Sequence, residues 1–412
     1  MIELTNYMAC CVDHVDNLNI KILNTSSDGK SIDAVVQCGK CGNKKAVVDS
    51  VLINCVTVIN KEKIANFNQK YAETIHLGEI TAPMVAYIEN VQWKPGLQGF
   101  ISIIKKSLNA CFYFIFYIYI FFYCYCWLFF KRRQSYSNAA ISKIIHQLAS
   151  SYCYVPEMAI HKLLEIKVLK ESLPEKRLGV VLDIGGGGGD VFNVLFEGYE
   201  AIKKINIDLY ASRTDYYDFH LSEDVTSSCL GSKTIDKIVS ISVLEHIPNI
   251  KGVFEFANRV LKDDGVLLFT TPREDYYKSL VLVRFLKIFS KKAAMKYANY
   301  DIKHAFHCSL YSKEIMIGKL KEAGFNTVEA IPFFSNKSLG FFDLLNITAK
   351  LPVSWHFWGG LNSFLNKHSW LKRKSIKILE RFLIQISTVD DYTKHVNAAD
   401  DAYTQYLYVA KK

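Results

Sequence analysis

The sequence is poor in charge, and it shows no segment typical of a secreted protein. Only 22% of its 412 residues are charged and 50% are hydrophobic, a balance that excludes a disordered, solvating chain. Its first residues show neither the basic nor the apolar region of a secretory signal, and its 11 cysteines are an odd number. We therefore expect a folded protein in a reducing compartment rather than a disulfide scaffold.

The modest excess of basic residues is concentrated in two segments. Lys and Arg total 50 against 40 acids, and the resulting net charge of +10 favours an anionic partner. Residues 273–300 contain 7 bases and 2 acids, and residues 361–386 contain 6 bases and 1 acid. Apolar residues lie between the bases in both segments. This pattern suits an anionic membrane surface, or else ordinary helices that cover a pocket.

One long stretch carries no charge at all. Residues 108–130 include 13 aromatic residues, with Lys105 and Lys106 before them and three bases at 131–133 behind them. A helix of that length measures about 33 Å, which matches the hydrocarbon core of a bilayer. The stretch predicts a transmembrane or membrane-embedded segment, with a buried core helix as the alternative. Crossing and re-entry both stay open, because the flanking bases nearly balance.

From about residue 178 onward, short apolar runs alternate with amphipathic stretches. This alternation is typical of parallel strands joined by crossover helices, and it predicts an α/β domain over residues 178–412. Two inserts, at 273–300 and 332–401, interrupt the pattern. The candidate strands are residues 179–184, 204–208, 235–240, 266–270, 325–330 and 403–410.

The first apolar run leads into five consecutive glycines, from Gly185 to Gly189. A loop without side chains lets the backbone approach a ligand closely. It is not a dinucleotide fingerprint, because the sixth position counted from Gly185 is Asp190. The pattern D-x-G-x-G-x-G, which begins at Asp183, resembles the loop of class I S-adenosylmethionine-dependent methyltransferases, particularly their type-11-like branch.

Further landmarks of that family follow in the same order. They are an acid after the second strand, an acid after the third, a "vLEHi"-like helix start at 243–247, a turn and fifth strand at 261–272, and a late helix ending in "aGF" at 311–325. The resemblance implies a Rossmann-like, doubly wound, seven-stranded sheet with S-adenosylmethionine as cofactor. It also implies the cofactor-binding residues, which are Asp183, Gly185, Gly187, Gly189, Asp208, Leu209, Asp224, Val225 and Ser240. Glu223, beside Asp224, is the alternative for the acid after the third strand.

His246 is the best candidate for a catalytic residue. It follows the fourth strand, where such sheets place their ligands, and it could remove a proton from an oxygen or nitrogen acceptor. The alternative is that the Glu245–His246 pair only organises the start of a helix and a hydrogen bond on the cofactor side. His304 and His307 are weaker acceptor-side candidates. Metal-assisted relatives carry an acid at the position of Ser242, so we expect metal-independent transfer.

The amino-terminal cysteines resemble those of a small zinc-ribbon module associated with methyltransferases. Cys10, Cys38 and Cys41 fall on the module's ligand positions. Tetrahedral zinc takes four ligands, and the fourth would come from one of three residues, namely Cys11, Asp13 or His14. We expect a zinc-ribbon-like domain with a structural zinc, and a metal-free remnant is the alternative.

The predicted order is a ribbon domain at 1–60, a helical linker at 61–107, the membrane segment at 108–130, a second helical linker at 131–177 and the catalytic domain. The expected function is a membrane-associated methyltransferase with a cytoplasmic catalytic domain. Its expected partners are a membrane lipid surface and a lipid-linked or saccharide acceptor. A soluble sugar or small molecule is an alternative acceptor, and a non-catalytic protein-binding partner is the alternative role. A nucleic acid is not expected, because no stripe of aromatics interleaved with Lys and Arg lies near the glycine loop.

Overall fold

A computed structural model describes residues 6–9, 18–27, 31–53, 61–71, 139–173, 175, 177–349, 365–389 and 402–412. The predicted membrane segment at 108–130 lies outside these residues, as do Cys10 and the candidates for a fourth zinc ligand. Within the described ranges, no helix is both long enough and apolar enough to span a bilayer.

Strands and helices are numbered in chain order over the described residues. The strands are β1 (Leu18–Thr25), β2 (Ile32–Cys38), β3 (Lys44–Val48), β4 (Val51–Ile53), β5 (Arg177–Ile184), β6 (Glu200–Asp208), β7 (Phe219–Ser222), β8 (Ile235–Ile241), β9 (Leu261–Pro272), β10 (Thr327–Ser335) and β11 (Tyr403–Lys411). The helices are α1 (Lys61–Tyr71), α2 (Ala139–Ser151), α3 (Pro156–Ser172), α4 (Asp190–Leu195), α5 (Ile250–Val260), α6 (Val281–Phe289), α7 (Lys291–His304), α8 (Lys313–Glu322), α9 (Asn336–Ala349) and α10 (Ser369–Val389).

From residue 177 onward, the described part of the chain contributes seven strands in the order β7-β6-β5-β8-β9-β11-β10. Strands β5 to β9 run parallel to their neighbours, whereas β11 is antiparallel to both β9 and β10. The inner strands are apolar because helices cover both faces of the sheet, as parallel sheets require. The predicted Rossmann-like α/β fold is confirmed. The strand β7, which the apolar runs did not single out, has only four residues, all of them buried.

The four amino-terminal strands extend this same sheet. Strand β4 pairs in parallel with β7, where Leu52 aligns with Leu221 and Ile53 with Ser222, so the sheet has eleven strands within the described ranges. The predicted arrangement, a seven-stranded sheet with a separate small domain before it, is corrected in this respect. The physical reason is that β7 would otherwise be an exposed edge of the sheet, and a short apolar strand satisfies its backbone groups.

The predicted linker at 131–177 and the predicted insert at 332–401 meet in one helical layer. Helix α3 is buried along most of its length and packs against α2, α9 and α10. The apolar face of α10, which includes Leu379, Phe382 and Leu383, lies in the same buried cluster. Of the two basic amphipathic segments, the one at 361–386 therefore turns its described apolar face to the protein core and not to a membrane.

We predict that the amino-terminal strands and the catalytic sheet unfold as one unit. Leu52 is fully buried, in one apolar cluster with Phe219 and Leu221. Leu52→Ala should therefore cost about 2–5 kcal/mol in the free energy of unfolding, measured by urea denaturation, and should raise hydrogen exchange at the β7 amides. Ile22→Ala, at a side chain that is 46% exposed on β1, is the control. Unchanged exchange at β7 in Leu52→Ala would show that the strands fold independently.

Candidate active site

The predicted site residues gather at one edge of the sheet. Strands β5, β6, β7, β8 and β9 are parallel, so their carboxyl ends meet there, at the crevice where such sheets place ligands. The glycine loop follows β5, Asp208 ends β6, Asp224 follows β7, and the Glu245–His246 pair follows β8. The topology brings together landmarks that are far apart in the chain.

The glycine loop is packed tightly on one side and open on the other. A side chain at Gly186 would place its Cβ 2.4 Å from the Tyr217 hydroxyl and 2.5 Å from an Asp183 oxygen. At Gly187 and Gly188, by contrast, a Cβ would meet nothing within 4 Å. Gly187 has a φ of +51°, in the left-handed region that favours glycine. The loop therefore leaves room on its outer side for a ligand to approach the backbone.

Asp183 lies beneath this loop and not in the open space. Its carboxylate accepts a hydrogen bond of 2.6 Å from the Tyr217 hydroxyl. Burial raises the pKa of Asp183 to about 7, despite the opposing effect of that hydrogen bond. The role of Asp183 in this structure is to hold the underside of the loop. Sequence reasoning missed Tyr217, which sits in a polar stretch between two strands without any motif of its own.

Asp208 joins the glycine loop to the end of β6. One oxygen accepts from the Gly187 backbone N–H at 3.0 Å, and the other accepts from the Tyr210 N–H at 2.8 Å. The side chain is partly exposed, and each carboxylate oxygen can accept more than one hydrogen bond. The adjacent Leu209 is fixed through its carbonyl, which accepts from the Ser222 hydroxyl at 3.0 Å. Asp208 thus borders the open side of the loop, and its carboxylate oxygens can accept further hydrogen bonds from a ligand.

The structure distinguishes the two acids after β7. Glu223 is buried and accepts a hydrogen bond from Ser228, whereas Asp224 is partly exposed and caps the short turn at Val225–Ser227. Asp224, and not Glu223, therefore faces the outside next to Val225. Ser240, also predicted to bind the cofactor, is fully buried and donates to the Ile184 carbonyl at 3.0 Å. Its contact ties β8 to the end of β5.

A second group of polar side chains follows β8. Glu245, His246 and His307 each offer a ligand atom, and these atoms all lie within 4.8 Å of one another, so the three residues could hold a metal ion. Burial raises the pKa of Glu245 to about 8 and lowers that of His246. Of the two weaker histidine candidates, only His307 lies here. His304 is exposed and stacks on Tyr300.

A third polar group, on helix α3, has no sequence signal and was not predicted. His161, Lys162 and Glu165 lie beside the carboxyl ends of β8 and β9, where Lys162 and Glu165 are buried and His161 is half-buried. Burial opposes the charge of Glu165, but His161 and Lys162 outweigh it and lower the pKa of Glu165 to about 2. This carboxylate is therefore ionised inside the protein, and it accepts from the Ser242 and Thr270 hydroxyls.

The two described cysteines of the predicted zinc site share one turn. Cys38 ends β2 and is buried, and Cys41 follows in the turn before β3 and is exposed. The Lys40 backbone N–H points to the Cys38 sulfur at 3.4 Å. This C-x-x-C turn has the spacing of half a zinc site. Cys10, the third predicted ligand, lies outside the described residues, so the zinc ribbon stays a prediction.

Comparison with known proteins agrees with this geometry. Residues 157–330 match the family model described as "Methyltransferase domain". No curated protein sequence matches the chain significantly. The match begins at the start of α3, so the matched region includes part of the predicted linker at 131–177.

Several solved structures are similar to the chain at low identity. Phosphoethanolamine N-methyltransferase 2 from Haemonchus contortus, in complex with S-adenosyl-L-methionine, is 16% identical with a TM-score of 0.36, and the alignment covers 60% of this chain and 52% of that one. The chain thus spans about half the length of that enzyme. A SAM-dependent methyltransferase from Archaeoglobus fulgidus is 15% identical with a TM-score of 0.33, covering 60% and 94%. A Haloferax volcanii complex of the Trm112 methyltransferase activator with a putative methyltransferase is 12% identical with a TM-score of 0.36, covering 64% and 96%.

TM-scores this low carry no argument by themselves. The identification depends instead on the family match, on the strand order of the seven catalytic strands and on the glycine loop that lies beside Asp208. On these grounds residues 157–330 belong to a methyltransferase domain with the Rossmann-like α/β fold.

Proposed function

We propose that this enzyme transfers a methyl group from S-adenosylmethionine to an oxygen or nitrogen atom of a lipid-linked or saccharide intermediate at a membrane. The observation that supports cofactor binding most directly is the asymmetry of the glycine loop. Its inner side is filled by Tyr217 and Asp183, and its outer side, at Gly187 and Gly188, is open next to the Asp208 carboxylate.

The residues around the open side fit this cofactor. Asp208 has acceptor capacity for the ribose hydroxyls, and the partly exposed Asp224 has an oxygen for the adenine amino group. Gly185, Gly187 and Gly189 would let the backbone approach the ligand, with Leu209 and Val225 beside the two acids. When bound, the cofactor supplies a methyl group that is already activated on a sulfonium. The protein then has to orient the acceptor and exclude water.

Loss of the Asp208 carboxylate should weaken cofactor binding. Asp208→Ala removes a charged acceptor and also leaves the Gly187 and Tyr210 amides without their partner. We expect an affinity for S-adenosylmethionine that is about 10- to 100-fold lower, measured by calorimetry on the full-length protein. Asp215→Ala, an exposed acid of the same loop, is the matched control and should bind like the wild type. Equal affinity for S-adenosylmethionine in the wild type, Asp208→Ala and Asp215→Ala would contradict the proposed cofactor site.

We propose His246 as the base that takes a proton from the acceptor. Its Nδ1 lies 3.2 Å from the Phe306 carbonyl, which accepts a hydrogen bond from it and thereby leaves Nε2 as the proton acceptor. Because burial lowers the pKa of His246, the ring is neutral at pH 7 and can take a proton from an acceptor hydroxyl or amine. The ring of His307, 5.2 Å away between centroids, borders the same space.

We further propose that this transfer needs no metal ion. Three candidate ligands are present, but Ser242, which stands where metal-assisted relatives carry an acid, donates its hydroxyl to Glu165. Treatment with a chelator such as EDTA should therefore leave the rate of methyl transfer unchanged. A rate lost on chelation and restored by Mg²⁺, Mn²⁺ or Zn²⁺ would contradict this proposal. Loss of that restoration in His307→Ala would assign the ion to the three-residue cluster.

A membrane contact is proposed for the hairpin formed by α6 and α7. Phe285, Ile288 and Phe289 are 54%, 76% and 74% exposed, a high degree for large apolar side chains. Residues 281–296 contain five exposed bases and no acid. An apolar tip surrounded by bases suits an anionic bilayer surface. The hairpin follows β9 within the catalytic domain, so this contact is consistent with a cytoplasmic catalytic domain and with an acceptor held at the membrane.

Photocrosslinking tests this contact in the full-length protein. We expect p-benzoylphenylalanine in place of Ile288 to crosslink to lipid in phosphatidylcholine–phosphatidylserine vesicles, and to do so less in pure phosphatidylcholine, because the bases favour an anionic surface. The same amino acid in place of Ile315, which is 49% exposed on α8, is the matched control. Crosslinking that is equal at both positions, or absent at 288, would overturn the proposed docking and favour a soluble sugar or small-molecule acceptor.

For the amino-terminal module we retain the proposal of a structural zinc. Cys38 and Cys41 would hold it from the turn between β2 and β3, together with Cys10. A metal at this turn would stabilise the strand pair that leads to β4, and through β4 the edge of the catalytic sheet.

A further inference from the structure

Helix α3 carries charge into the interior of the enzyme. The helix is buried along most of its length, and yet Lys162 and Glu165 face the sheet with 8% and 0% of their surface exposed. The Lys162 ammonium donates to Glu165 Oε2 at 2.8 Å, so the two charges pair with each other. A buried ion pair is costly to maintain. The second carboxylate oxygen of Glu165, Oε1, makes hydrogen bonds outside this pair.

Glu165 Oε1 holds two strands of the catalytic sheet at once. It accepts hydrogen bonds from the Ser242 hydroxyl at 2.5 Å and from the Thr270 hydroxyl at 2.7 Å. Ser242 follows the end of β8, and Thr270 lies near the end of β9. The Thr270 oxygen in turn accepts from the Ser242 backbone N–H at 3.0 Å. Ser242 is thus held at its side chain and at its backbone by a single connected network.

The backbone at Ser242 needs such support. Its φ is +55°, a left-handed conformation that costs a residue with a side chain about 1 kcal/mol or more. The turn made there directs the chain from β8 into the segment with Glu245 and His246, three and four residues later. A relaxed Ser242 would send that segment in another direction. The hydrogen bonds made by Glu165 therefore support the turn that leads to the proposed base.

We propose that Glu165 is a positioning residue for methyl transfer, acting through Ser242 and Thr270 to fix the turn that places His246 at the reaction centre. The proposal rests on the proposed function of His246. The proposal assigns a role in the site to a residue of α3, a helix that lies before the glycine loop and all later motifs in the sequence. The network contacts neither Asp208 nor the glycine loop through any of its described hydrogen bonds, so it should affect the transfer step and not cofactor binding.

Thr270→Val tests the proposal, because it keeps the shape of the side chain and removes the hydroxyl. We expect the rate of label transfer from S-adenosylmethionine into a lipid extract of the source cells to fall about 10- to 100-fold at saturating extract. The calorimetric affinity for S-adenosylmethionine should not change. Thr270→Ser, which restores the hydroxyl, should restore the rate. Combination of Thr270→Val with Glu165→Gln should cost less than the sum of the two effects, as expected of one network.

The next residue supplies a matched control. Thr271 is also buried on β9, and its hydroxyl has no hydrogen-bond partner among the described residues. Thr271→Val should therefore transfer label like the wild type. A Thr270→Val enzyme as fast as Thr271→Val would overturn the proposal. So would a Thr270→Val protein that loses cofactor affinity and thermal stability in parallel with its rate, because the role of the network would then be structural only.

A readout without turnover separates this proposal from the proposed function. The imidazole signals of His246, assigned by their loss in His246→Gln, should shift in nuclear magnetic resonance spectra of Thr270→Val and not in those of Thr271→Val. A shift in an enzyme whose wild type transfers no label would contradict the proposed acceptor and keep the positioning role. Unshifted signals would contradict the positioning role, whatever the activity.

Discussion

Burial of three carboxyl groups at one edge of the sheet is the constraint on which the rest of the site depends. Asp183, Glu165 and Glu245 are each less than 4% exposed, and a charge in such a place must be paired or given up. Glu165 has Lys162 and His161 beside it, and its pKa falls to about 2. Among the described residues, Asp183 and Glu245 have no lysine or arginine in ion-pair contact, and burial raises their pKa values to about 7 and 8.

The pKa values of these three carboxyl groups are linked, because the charge of Lys162 lowers each of them. The negative charge of Glu165 is one of the causes that raise the pKa of Glu245, and Lys162 acts in the opposite direction on both Asp183 and Glu245. Of these three buried carboxyl groups, Glu165 is therefore fully ionised near pH 7, whereas Asp183 and Glu245 gain or lose a proton easily. The ionised one belongs to the hydrogen-bond network that fixes Ser242. The ionised carboxylate of Glu165 is thus the one that supports the turn at Ser242.

The features that could be predicted from the sequence were short motifs of neighbouring residues. The loop after β5, the acid at the end of β6 and the Glu-His pair after β8 each occupy a few consecutive residues, so their spacing alone indicates the family and the edge at which they meet. The contacts that shape the site join distant residues instead. Glu165 and Thr270 are 105 positions apart, and neither carries a motif. The pairing of β4 with β7 likewise depends on a three-residue strand that no periodicity distinguishes from a loop.

The same long-range pairing gives the amino-terminal module a contact with the cofactor side. Ala211, in the loop that follows Asp208, packs in a cluster with Val51 and Ile53 of β4. The Nη1 atom of Arg213, in that loop, lies 3.7 Å from Oδ1 of Asp49. On the other side, the Tyr276 hydroxyl donates to Asp301 of α7 at 2.9 Å, and its ring lies 5.4 Å from that of His307. The exposed hairpin is thereby fastened next to the proposed base. The proposed membrane contact at the tip of the hairpin would therefore act on an element whose inner end is joined through Tyr276 to His307, next to the proposed base.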